Sequence, residues 1–152
     1  HFKEQQIALK RQLEWSIEKN LPVVIHSRDS FEEIFDVLDQ MNHSKLRGVF
    51  HCFGGNAEQA KHILSYKNFK FGIGGVLTFK NSGLAKVVAE IGLENILLET
   101  DSPYLTPVPF RGKRNESSYT YHIAEKLADI YNVSIEKVAE ITSSNARKLF
   151  NF

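Results

Sequence analysis

The sequence predicts a parallel α/β fold assembled from repeated strand–helix units, and three observations lead there. Four short runs are largely apolar, Leu21–His26, Leu46–Phe53, Phe69–Gly74 and Ile96–Asp101, as expected of strands buried on both faces. Amphipathic stretches of helical period separate them. The runs end near residues 26, 51, 74 and 101, so successive ends are 25, 23 and 27 residues apart. Such a regular period implies parallel neighbours joined by crossovers. An open doubly wound sheet and a closed barrel both satisfy it. A complete (β/α)₈ barrel needs roughly 250 residues, and four units are about half of one.

The elements follow in order. Phe2, Leu9, Leu13 and Ile17 stripe an opening helix that stops near Asn20, ahead of Pro22. After the first strand, Phe31, Ile34, Phe35 and Leu38 repeat at helical spacing behind Ser30 and Glu33, which match an S-x-x-E capping box. Ala57, Ala60 and Leu64 form the next stripe, with Asn56 as N-cap and Gln59 at the reciprocal position. Leu84, Val87, Val88 and Ile91 form another. A Pro- and Gly-containing loop, Ser102–Ser118, follows the last strand. Two or three closing helices come after it, around His122–Tyr131, Ser134–Ile141 and Ser144–Phe150.

Composition narrows the class. A chain of 152 residues, 42% hydrophobic and 24% charged, is an ordinary globular domain with a real core. No apolar run approaches the roughly 20 residues that span a bilayer, and His1–Lys10 lacks the pattern of a secretory leader. The single cysteine, Cys52, cannot pair internally, which fits the reducing cytoplasm. A net charge of +1 creates no global field for nucleic acid, so any attraction must be local. The chain starts at His1, its one methionine is Met41, and no capping residue precedes the first helix. It therefore reads as a piece of a longer chain.

The chemistry sits at the strand ends. His26, His51 and Asp101 close three of the four apolar runs, the edge where parallel β/α folds gather ligands and catalytic groups. Strand alternation puts Val24 with His26, Val49 with His51, and Glu99 with Asp101. Two imidazoles and a carboxylate converging on one mouth suit a divalent ion. The competing reading is a pair of hydrogen-bonded structural histidines and an aspartate that caps a helix or forms a turn.

Five segments, IHSRDS (Ile25–Ser30), HCFGG (His51–Gly55), GIGG (Gly72–Gly75), LLETDSPYL (Leu97–Leu105) and RGKRNE (Arg111–Glu116), resemble in order and spacing the signatures of the TatD family of metal-dependent deoxyribonucleases. The likeness runs from about Gln5 to Phe152. It implies a TIM-type barrel, with these strands as its last four, and a C-terminal half of one hydrolase domain spanning 1–152. It also implies that His26, His51 and Asp101 are metal ligands. The family's H-x-H pair and its glutamate on the fourth strand have no counterpart here, and Gly54 stands where the family commonly has serine. The visible ligand set is thus partial.

The implied activity is hydrolysis of DNA phosphodiesters from a strand end, using divalent ions, two in number and of the Mg²⁺, Mn²⁺ or Zn²⁺ class. Asp101 is the expected proton acceptor. Glu99 is either a partner that orients a ligand or half of a buried ion pair. Arg28 is expected to bind phosphate or to cap a helix. Arg111, Lys113 and Arg114 form a basic cluster that reads either as a contact for backbone phosphates or as a solvated loop, with Arg111 the foremost candidate. Tyr104 and Phe110 are expected to pack rather than stack on bases. Gly72, Gly74 and Gly75 read as close backbone packing, not a nucleotide loop. His43, His62 and His122 read as surface residues, and Cys52 as packing against helices, away from His51. Two alternatives stand beside the nuclease. One is the same site acting on another ester or amide, such as aminoacyl-tRNA or a small molecule. The other is a catalytically incomplete fragment or binding module.

Overall fold

Alternation along four short strands organises the molecule. A computed structural model describes residues 1–152. In chain order the elements are α1 (Phe2–Lys19), β1 (Val23–His26), α2 (Phe31–Met41), β2 (Gly48–His51), α3 (Ala57–Ser65), β3 (Phe69–Ile73), α4 (Leu84–Ile91), β4 (Ile96–Leu98), α5 (Thr120–Tyr131) and α6 (Ile135–Phe150). The strands form one sheet in the order β1-β2-β3-β4, parallel throughout. The register pairs Val23 with Gly48 and His26 with His51.

One face of the sheet carries Ile25, Phe50, Phe71, Ile73 and Ile96, and these join residues of α1 to α5, with Val138 near the start of α6, in a single core. Phe53 meets Phe71 edge-on at 4.9 Å and Phe31 at 5.7 Å, the geometry favoured by aromatic quadrupoles. Sequential strand order with these helices on one side is the wall of a (β/α) barrel. A doubly wound sheet would cover both faces and reverse its order. The observed order therefore resolves the choice that spacing left open.

The opposite, inner face is treated differently along its length. At the lower end, Val49 and Leu97 are covered by Leu149 and Ala146 of α6. The buried Asn145 amide donates to the carbonyls of Leu93, at 3.1 Å, and Ile96, at 2.8 Å. At the β1 edge the same face is open, and Val24 is 60% exposed.

Several expectations are corrected. The last apolar run leaves strand geometry at Leu98, although Glu99 N still donates to the Ile73 carbonyl at 3.2 Å. Ser30 precedes α2 but makes no side-chain cap bond, because its hydroxyl lies 3.4 Å from that of Ser27. The Asn56/Gln59 capping box forms in both directions. Phe2 is exposed, while Leu13 carries the buried stripe of α1. The closing helices number two, since α6 runs unbroken through Ser143 and Ser144.

Candidate metal centre

The upper edge of the inner face collects the polar side chains. Register sets His26 beside His51, and their ring centroids are 5.9 Å apart. His51 is flanked on both ring nitrogens: Nδ1 is 2.9 Å from Glu99 Oε1 and Nε2 is 3.3 Å from Asp101 Oδ1. Strands β1 and β2 thus set His26 beside His51, and His51 in turn meets Asp101 and Glu99 from the chain after β4.

A ring nitrogen facing a carboxylate oxygen needs a positive group between them, either a proton or a metal ion. Zinc–nitrogen and zinc–oxygen bonds of about 2.0–2.2 Å in a tetrahedral site put neighbouring ligand atoms roughly 3.3–3.5 Å apart. The His51 Nε2–Asp101 Oδ1 spacing fits that value. The donor set of two imidazoles and nearby carboxylates also matches what borderline divalent ions take. Without an ion, the proton fills the gap. Burial pushes the His51 pKa down, but the charge and hydrogen bond of Glu99, followed by those of Asp101, outweigh it, and the net shift is upward.

Cys52 departs from expectation. It adopts φ of 50°, in the left-handed region, a conformation that costs a residue with a Cβ about 1 kcal/mol or more. Strand alternation is broken there, and Sγ turns to the polar cluster rather than to the helices. Ligand atoms of His51, Cys52 and Glu99 lie within 4.8 Å of one another. The Cys52 N–H donates to Glu99 Oε1. Burial and then the Glu99 and Asp101 charges push the thiol up to about 12, so it stays protonated and is no nucleophile. Nothing in the residue pattern signals the left-handed turn that puts it here.

Gly72 at the end of β3 and Gly75 after it serve close approach, as expected, whereas a Cβ at Gly74 would meet only ordinary contacts, the nearest at 3.6 Å. A Cβ at Gly72 would lie 2.1 Å from Glu99 Oε2, and one at Gly75 would lie 2.0 Å from the Leu105 carbonyl oxygen. The loop that follows Asp101 therefore presses on the chain after β3 and is pinned there. Val108 N donates to Thr78 Oγ1 at 2.9 Å, Thr106 Oγ1 to the Lys113 carbonyl at 2.5 Å, and the buried Asn115 amide to the Tyr104 carbonyl at 2.6 Å.

The basic candidates divide. Arg28 is exposed and makes no ion pair or cap. Arg111 lies 3.8 Å over the Phe79 ring and donates to the Thr106 carbonyl, so its guanidinium is held in place while remaining accessible. Lys113 sits 5.7 Å from the Phe110 ring, and Arg114 is exposed. Phe110 packs as expected, stacked on Tyr119 at 4.4 Å. Tyr104 does not, being 70% exposed three residues beyond Asp101. His43 is exposed, but His62 and His122 are corrected to half-buried. His62 stacks on Phe35 at 4.2 Å and pairs with Asp39, while His122 pairs with Glu125 at 2.8 Å.

Comparison with known proteins finds metal-dependent hydrolases. The metal-dependent hydrolase YabD of Bacillus subtilis is 42% identical over 147 residues, which is 96% of this chain and 57% of YabD. The metal-dependent hydrolase YcfH of Escherichia coli K12 is 36% identical over 135 residues, 88% of this chain and 51% of YcfH. The crystal structure of YjjV, a TatD homolog from E. coli K12, superposes with a TM-score of 0.91 at 28% identity, covering 99% of this chain and 57% of YjjV. The chain thus spans about half the length of the relatives it matches. The profile of the TatD related DNase family matches residues 1–151, and the chain belongs to that family.

Proposed function

We propose that these four βα units are the C-terminal half of a divalent-metal-dependent hydrolase barrel that cleaves DNA phosphodiesters, removing nucleotides from the end of a single strand. The observation that carries the reading is His51 Nε2 facing Asp101 Oδ1 at 3.3 Å with the His26 ring alongside. His26, His51 and Asp101 would hold the metal, of the Zn²⁺, Mn²⁺ or Mg²⁺ class, with up to two ions per site. The bound cation supplies a hydroxide source near neutral pH and neutralises charge gathering on phosphate oxygens.

The chain's own groups do the rest. Asp101, half-exposed at the mouth, accepts the proton of the attacking water. Arg111, braced by Phe79 and Thr106, and Arg28, free of ion pairs, bind backbone phosphates. Exposed Tyr104 offers a base a stacking face at the rim. The free thiol of Cys52 suits a cytoplasmic enzyme, and no helix is long and apolar enough to cross a membrane.

The test is a substrate panel of single-stranded DNA, aminoacyl-tRNA and a simple phosphodiester, each with Mg²⁺, Mn²⁺ or Zn²⁺, run on the chain and on Asp101→Asn. DNA cleavage lost in the variant is expected. Undiminished cleavage by Asp101→Asn removes its assigned role, and turnover of aminoacyl-tRNA without DNA reassigns the substrate.

A further inference from the structure

Glu99 faces a proposed metal ligand and is held there by two features that the hydrolytic reading leaves idle, the Cys52 N–H and the absent side chain of Gly72. Its Oε1 accepts the Cys52 main-chain N–H and faces His51 Nδ1 at 2.9 Å. The Cys52 N–H belongs to the one residue of the β2 end at positive φ, 50°. The Glu99 carboxylate passes through space that a side chain on β3 would fill. A Cβ at Gly72 would stand 2.1 Å from Oε2, 2.4 Å from Cδ and 2.7 Å from Oε1. Clearance from one strand and a donor from another thus aim a carboxylate carried by a third.

The aim matters because a neutral imidazole carries one N–H, and the partner of one nitrogen decides what the other offers. With Glu99 accepting at Nδ1, the proton stays there and the Nε2 lone pair is presented toward Asp101 Oδ1. We propose that Gly72 and Cys52 are positioning residues that act through Glu99 to set the His51 tautomer and ring orientation for cation binding at Nε2. This rests on the metal-binding reading above. The role is assigned to the main-chain N–H of Cys52 and to the missing side chain of Gly72, so neither need touch the cation.

Gly72→Ala isolates the device. The atoms a new Cβ would meet are the end of a flexible side chain, so the carboxylate swings aside while the strand stays in place. Two readouts apply to the whole chain. The first is ¹⁵N–¹H NMR of His51 in the metal-free protein, at a pH where the ring is neutral. The second is Zn²⁺ affinity by calorimetry.

The wild type is expected to carry its proton on Nδ1, and Gly72→Ala to populate both tautomers. Zinc affinity should fall about 10- to 100-fold, the usual effect of losing a ligand's outer partner. In a Glu99→Ala background, adding Gly72→Ala should cost nothing more, because its effect runs through the carboxylate. A circular dichroism spectrum matching wild type guards against loss of fold. An unchanged tautomer in Gly72→Ala, or additive losses in the double variant, overturns the proposal. Should wild type take up no zinc, the metal reading fails by itself. The tautomer comparison still decides the device: Nδ1–H that scrambles in Gly72→Ala upholds it, and Nε2–H in wild type refutes it.

Discussion

The two faces of the sheet are built from alternate residues of the same strands and obey opposite rules. On the outer face Ile25, Phe50 and Phe71 are at most 4% exposed and belong to the main core. On the inner face their neighbours toward the upper edge, His26, His51 and Gly72, are polar or small and Val24 is open to solvent, while Val49 lower down lies under α6. Burial of apolar area holds the fold together from one side. The other side collects charge that burial alone would penalise. Stability and chemistry therefore reside one residue apart, and substitutions on the two faces should separate them.

The sharpest separation comes from the outer face. Phe71 is wholly buried and packed edge-on against Phe53. Phe71→Ala should cost about 3–5 kcal/mol, a large share of a typical domain's stability, measured by urea unfolding. Survival within 1 kcal/mol would show that the core lies elsewhere. Next is the mouth. Asp101→Asn should lower turnover by roughly 10²–10⁴-fold while unfolding shifts by only about 0.5 kcal/mol. A large stability loss there would make Asp101 a structural residue and collapse the distinction.

A pH series is the third test. The His51 pKa is raised in the fold, so its contribution is complete below the ordinary imidazole value of about 6.5. That contribution is lost as pH climbs through the raised value. Metal uptake at Nε2 must expel that proton and runs the other way, weakening about tenfold per unit as pH drops below the raised pKa. Unfolding with chelator and calorimetric titration with Zn²⁺ should therefore show opposite slopes across neutral pH, and parallel slopes would break the pairing. The smallest effect belongs to Val24→Ser. At 60% exposure it should stay within about 0.5 kcal/mol, whereas Ile25→Ala, one position on, should cost about 2–5 kcal/mol.

Most of this arrangement is legible in residue order. Apolar runs ending in His26 and His51 place two strands and both imidazoles, because a period of two leaves little choice once one face is core. What escaped has identifiable causes. Cys52 takes a left-handed backbone that no side-chain pattern encodes, so alternation assigned it to the wrong face. Ser30 has the capping signature, yet its hydroxyl lies against Ser27. The break read between Ile141 and Ser144 vanished because Thr142 and Asn145 are buried on α6. Thr142 bonds the Val138 carbonyl, and Asn145 bonds β4 and the turn before it. A partner one turn back makes Thr142 favourable inside the helix, and partners about fifty residues away do so for Asn145. Spacing alone likewise left barrel and open sheet equal until strand order was known.

The grip of Asn145 couples the two ends of β4. Ile96, held from below, lies three residues from Glu99, about 10 Å of extended chain. The same short strand delivers both carboxylates to the rim. Any alteration that loosens this amide, or trims the tail back past Leu149, works like a slipped anchor on a taut cable. Its slack would surface at the far end as misaimed oxygens, with no residue near the mouth having been touched.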